Sequence, residues 1–211
     1  MRPVDKGSHP EENGKRVEFN SYQDAAPYLK ERLGRFCSYC ERDIPAGLAV
    51  EHKIPKSHDS ALEKEWDNLL LACLNCNSSK GKKLIEHDEC LWPDKDDTLS
   101  AFTYKPSGAI EVSTKLDSSQ QEKSRALLAL VELNKAPSST DNRYERRYQQ
   151  WEKAKITQTQ FQNMPNDLKN KFLHLIVTEG YSIWATVFRS DPVILDVLAK
   201  KFPGTRPHGN L

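Results

Sequence analysis

The sequence contains no run near the roughly 18 apolar residues that a membrane-spanning helix requires. Its opening residues, Met1-Arg-Pro-Val-Asp-Lys-Gly, have no apolar signal core. These absences argue against membrane insertion and secretion, and a reducing cytoplasm is the expected location. No internal repeats are evident. The chain also lacks an excess of either charge: 31 basic against 30 acidic residues leave a net charge of +1. A free-standing nucleic-acid binder is usually basic overall, so any such surface here is local or supplied by a partner. With 37% apolar and 29% charged residues over 211 positions, a soluble globular protein of one domain or two small ones is expected.

Cysteine is scarce but not scattered. Of the five, four form two Cys-x2-Cys pairs, Cys37/Cys40 and Cys73/Cys76. Under reducing conditions this pattern reads as a zinc site, not a disulfide frame. A closed set of four soft thiolates leaves no position for substrate. Zn²⁺ would therefore staple a unit whose core is too small to hold itself. Cys90, the fifth, reads as a small buried hydrophobe.

Residues 1–20 are polar and are expected to wrap the surface or lie loose. Residues 22–33 read as a helix with Ser21 at the N-cap, Asp24 at N3 and Gly34 as the stop. Pro27 implies a kink or a later start. Residues 48–54 are strand-like, 56–65 form a polar loop, 66–73 a second strand or tight turn, and 74–83 a short helix. Phe102/Tyr104 and Ile110/Val112 alternate around Pro106-Ser-Gly108, a hairpin signal. Residues 113–120 read as a linker. Beyond it the pattern is helical over 121–134, 142–160 and 166–178, and again after Asp191-Pro192, a cap with a first-turn proline. Arg143, Arg146 and Arg147 with Tyr144, Tyr148 and Trp151 read as an amphipathic helix packing its aromatics, with nucleic-acid binding as the alternative. Pro93-Asp94, Asp96 and Asp97 read as a loop, with a further carboxylate for the site as the alternative. Residues 203–211 read as a frayed tail. His9, His58, His87, His174 and His208 receive no role.

A second set of candidates lies between the thiol pairs and directly after the second pair. Glu51 offers a carboxylate and Asn77 an amide oxygen, a hard-ligand pair suited to Mg²⁺ or Mn²⁺, which bind with few protein groups. His52, with an ordinary pKa near 6.5, suits proton removal from water. Strand alternation sends Glu51 and His52 to opposite faces, so a local distortion is expected. Asn68 cannot titrate, and its expected task is to hold the His52 segment by hydrogen bonds. Lys56, Lys80, Lys82 and Lys83 would bind flanking phosphates.

The series Cys-x2-Cys, Glu51-His52 with Pro55, Asn68-Leu69 and Cys-x2-Cys-Asn77-x2-Lys80 resembles the HNH (ββα-metal) endonuclease motif. By that resemblance His52 is the base, Asn68 the middle asparagine and Asn77 the last metal-binding position, while Glu51 stands where many members have Asp. Further pieces are similar to the PtuB type, the nuclease subunit of Septu and retron-associated anti-phage systems. They are Met1-Arg-Pro-Val with Gly7, Cys37-Ser-Tyr-Cys40-Glu41, Pro55-Lys56-Ser57, Leu69-Leu-Leu-Ala and Trp92-Pro-Asp94. That likeness spans residues 1–112 and implies a PtuA-type ATPase partner. In the retron version it also implies a reverse transcriptase with its RNA–DNA product.

The expected fold is α+β: a zinc-stapled ββα-metal core with an added hairpin over residues 1–115, then a mainly helical half over 116–211 for docking or support. The expected function is a metal-dependent endonuclease, effector of a defence complex, with DNA and RNA (tRNA included) both open as substrate. One active site cuts one strand, so a homodimer within the complex is expected. Two alternatives stand beside it: a non-catalytic zinc-stapled nucleic-acid-binding module, and a stand-alone restriction-type or toxin nuclease.

Overall fold

The computed structural model describes residues 1–138 and 140–206. The polar N-terminal segment does not lie loose. Met1, Arg2, Val4 and Lys6 are buried. The Val4 amide donates to the Pro93 carbonyl and the Asp5 amide to that of Gly204, both at 2.7 Å. The segment reads as polar because its cations go inside with partners. The Arg2 guanidinium donates to the carbonyls of Pro203 and Leu33 at 2.7 and 3.0 Å. Lys6 donates to those of Trp66 and Leu69, each at 2.7 Å. Two short strands, β1 (Glu11–Glu12) and β2 (Lys15–Arg16), pair around Asn13-Gly14, both with positive φ as a tight hairpin requires.

Ser21 and Asp24 form the expected capping box. It opens a single 3-10 turn, Tyr22–Ala25, and α1 (Ala26–Leu33) restarts behind it with Pro27 in its first turn. The proline is thus resolved by a later start, and Gly34, at φ 75°, ends the helix.

β3 (Ala49–His52) and β4 (Leu69–Ala72) pair antiparallel from Ala49↔Ala72 to His52↔Leu69. Every residue of β4 is buried, so both faces of this ribbon are covered. α2 (Leu74–Lys80) follows and stops at Gly81, at φ 53°, short of Lys83. The predicted hairpin is present as β5 (Phe102–Tyr104) and β6 (Ile110–Val112).

Asp117 caps α3 (Ser118–Leu130), its carboxylate accepting from the Gln120 amide at 2.8 Å, so the linker is shorter than expected. α4 (Arg143–Gln160), α5 (Asn166–Ile176) and α7 (Pro192–Lys201) follow the sequence pattern, with Asp191 capping α7. α6 (Tyr181–Val187) was not expected. Six of its seven residues are buried, and a helix that is apolar nearly all round presents no periodic stripe to read.

The fold has two apolar clusters. One joins the N-terminal segment, β3–β4, the hairpin and Leu127 and Leu130 of α3. The other gathers Ala154, Leu173, Trp184, Ile194 and Phe202 from α4 through the end of α7. Trp151 packs against both. The tail to Arg206 is not frayed: Thr205 bridges to Val4, and the Arg206 guanidinium donates to the carbonyls of Pro93, Lys95 and Asp96. Residues 207–211, with His208, lie outside the described residues.

α4 is amphipathic as expected, but of its aromatics only Trp151 joins the clusters. Its buried face is Arg143, Arg147, Gln150, Ala154 and Thr157, while Tyr148 is exposed. The arginines turn inward because unpaired carbonyls await them. Arg147 donates to Gly108 and Leu133 at 2.7 and 2.6 Å, and Arg143 to Val131 at 2.8 Å. Neither is free for a phosphate. Arg146, part-exposed, sits 3.4 Å from Glu179. Replacing Arg147 by Ala strands buried acceptors and is expected to cost about 2–3 kcal/mol in denaturant unfolding. Arg146→Ala is expected to cost under about 1 kcal/mol. Equal losses would contradict the assignment.

Candidate active site and metal centre

The chain approaches the site through a knuckle and a helix start. Glu41, at φ 61°, turns the backbone so that its amide reaches the Cys37 carbonyl at 3.0 Å. Cys73 caps α2, its sulfur facing the Cys76 amide at 3.5 Å. The sulfurs of Cys37, Cys40, Cys73 and Cys76 all lie within 4.8 Å of one another, with Cys40 and Cys73 at 3.6 Å. A tetrahedral zinc with bonds of about 2.3 Å needs sulfurs roughly 3.8 Å apart, so this set fits Zn²⁺. Arg143 adds a donor 3.1 Å from the Cys76 sulfur, the kind of outer contact that steadies a thiolate. Cys90 is buried as expected, its thiol pushed up to about 12 by burial.

Beside this cluster α2 lies against β3 and closes a cleft of about 490 Å³. Glu51, His52, Lys56, Asn77, Lys80 and Lys82 all contribute to its wall. The ladder is regular to His52, its last pair, and both Glu51 and His52 line the cleft at the strand's end.

His52 Nε2 stands 2.9 Å from the Glu63 carbonyl, an acceptor only. The proton therefore resides on Nε2, which leaves the Nδ1 lone pair able to accept one. Burial holds the imidazole below its ordinary pKa. The Tyr22 ring, 4.5 Å away, packs beside it. Asn68 does hold this segment. Its Oδ1 accepts from the Ile54 amide at 2.8 Å, and its Nδ2 donates to the carbonyls of Ile54 and Leu62 at 2.9 and 3.1 Å. The side chain thus clamps the strand end to the loop that carries Glu63.

Glu51 is buried, and burial raises its pKa against the opposing pull of Lys80, whose Nζ lies 2.9 Å from Oε1. Asn77 is half-buried on α2. A carboxylate, an amide and an open cleft suit a hard cation that keeps several waters.

Two of the four phosphate lysines need correction. Lys80 is 1% exposed and faces Glu51, because α2 ends there against the strand. Lys83 turns away to Glu132 at 3.0 Å and the Leu130 carbonyl at 3.3 Å. Lys56 and Lys82 are exposed at the cleft. Lys56 pairs with Glu63 at 2.6 Å.

Asp94 is not part of the site. It is buried between Lys53 and Lys6, both at 2.9 Å. The Glu63 carbonyl escaped the sequence reading because a backbone acceptor leaves no residue signature.

Residues 37–83 match the family model described as HNH endonuclease. That segment is an HNH domain. The match begins at the first thiolate and ends just beyond α2, and so contains Glu51, His52, Asn68, Asn77 and all four sulfurs. No curated protein matches the chain. Among the described residues, no helix is long and apolar enough to cross a membrane.

The HNH domain is expected to hold about one zinc per chain by metal analysis. Cys76→Ser should lose it and lower the unfolding midpoint, whereas Cys90→Ser should keep it. Full zinc content in Cys76→Ser would contradict the four-sulfur centre.

Proposed function

We propose that this chain is a metal-dependent endonuclease that hydrolyses phosphodiester bonds, with His52 as general base. The observation that carries the reading is the His52 ring, its Nε2 committed to the Glu63 carbonyl and its Nδ1 free, in one cleft with Glu51 and Asn77. His52 would take the proton from a water lined up against the phosphorus. Asn68 keeps the ring's support in place. Glu51 and Asn77 would hold Mg²⁺ or Mn²⁺, which supplies charge stabilisation at the phosphoryl and leaving oxygens. Lys56 and Lys82 would receive flanking phosphates. Attack by water leaves a 5′-phosphate and a 3′-hydroxyl and needs no 2′-hydroxyl, so DNA and RNA both fit.

The finer reading is the PtuB type: a cytoplasmic effector subunit of an anti-phage complex with a PtuA-type ATPase, and in a retron setting with a reverse transcriptase and its RNA–DNA product. Its support is the motif likeness over residues 1–112 and a net charge of only +1, which fits a subunit that borrows substrate binding. Two copies in the complex would permit a double-strand cut. Co-purification with chain and nucleic-acid analysis tests it. Robust cutting by the purified chain alone would favour a stand-alone nuclease.

His52→Ala is expected to lower the Mg²⁺-supported cleavage rate by about 10² or more. Parent-like cleavage by that variant would remove the proposal. The active base is the neutral imidazole, and burial lowers its pKa. The rate should therefore be flat at neutral pH and fall only as pH drops below about 6.5. An acid limb centred above neutrality would contradict the base assignment.

A further inference from the structure

The chain buries three lysines around the HNH domain, and one of them differs from the other two. Lys6 reaches two carbonyls and Asp94, and Lys53 reaches both Asp94 oxygens at 3.1 and 2.9 Å. Both are held as permanent parts of the interior. Lys80 is as deeply buried, 1% exposed, yet its only partner among the described residues is Glu51. That contact is a close ion pair, with Nζ 2.9 Å from Oε1. An ammonium carries three donors, and among the described residues this one meets a single carboxylate oxygen.

Position gives this poor fit a meaning. The carboxylate that Lys80 neutralises is the one available to a hard cation, and Asn77 lies one helical turn back on the same helix. A divalent ion on Glu51 would stand within a few ångströms of the ammonium, and like charges that close repel strongly where water is scarce. The two cations compete. The four-carbon stem of a lysine can swing its head toward water, and Lys80 borders the open cleft with Lys82.

We propose that Lys80 is a placeholder cation: it neutralises Glu51 in the resting chain, yields it when a divalent ion binds Glu51 and Asn77, and then points into the cleft. This rests on the metal-dependent reading above and adds a control to it. The metal site is occupied by an internal charge until an ion, aided by a phosphate that attracts the released ammonium, displaces it.

The test is titration of the zinc-loaded full chain with Mn²⁺ at about pH 8, well above the ordinary carboxylate range, read by electron paramagnetic resonance. Lys80→Met keeps length without charge and should bind Mn²⁺ about tenfold or more tighter than the parent. Glu51→Gln should abolish binding in both backgrounds. In the parent, Lys80 should resist reductive methylation without Mn²⁺ and become methylated at saturation, as read by mass spectrometry. This second measurement decides the matter if Lys80→Met folds poorly. Equal Mn²⁺ affinity in parent and Lys80→Met, or methylation of Lys80 that ignores Mn²⁺, would overturn the placeholder and leave the metal-dependent reading standing. Absence of Mn²⁺ binding in both, with zinc retained, would overturn both.

Discussion

Four sulfurs drawn into one cluster set the relation between β3 and α2, and the rest of the molecule follows from it. Cys37 and Cys40 sit on a knuckle before the ribbon, and Cys73 and Cys76 sit where the second strand becomes a helix. Closing the cluster fixes where α2 begins and hence where Asn77 and Lys80 face the end of β3. The helical half is attached to the same place by charge. Arg143 reaches Cys76, and Glu41, next to Cys40, accepts from Ser182 of α6 through both amide and hydroxyl at 2.7 and 2.6 Å.

The interior relies on buried cations that reach backbone carbonyls and carboxylates. Arg2, Lys6, Lys53, Arg143 and Arg147 are all buried, and most of their partners are carbonyls or single carboxylates. Such groups contribute less to net stability than apolar packing would, but breaking one leaves its partner stranded. They hold segments far apart in sequence in one arrangement, as when Arg2 joins the carbonyls of Leu33 and Pro203.

This reliance explains what could be read from the sequence. Signals made by local chemistry were legible: the Ser21/Asp24 box, Asp191-Pro192, the hairpin around Gly108 and the thiol pairs. Asn68 makes the hydrogen bonds anticipated for it, and His52 and Asn77 line one cleft. Buried charge was not legible. Arg143 and Arg147 look like a solvent-facing or nucleic-acid face, Lys80 looks like a helix-end cation, and residues 1–6 look like a loose arm. Each is polar by composition and internal by partner, and its partner is a backbone atom or a distant residue that no periodicity reveals. α6 was missed for the opposite reason, having almost no polar face at all.

The histidine's orientation rests on a main-chain oxygen, and this shapes how the sequence can vary. The side chain at position 63 is free to drift, since what the imidazole requires is the peptide unit beneath it. The spacing of the stretch from Pro55 to Trp66 is not free, because one residue gained or lost there would carry that oxygen out of reach. A survey by single replacements would pass over the position, while insertions and deletions in the same stretch would silence the protein with every recognised side chain intact.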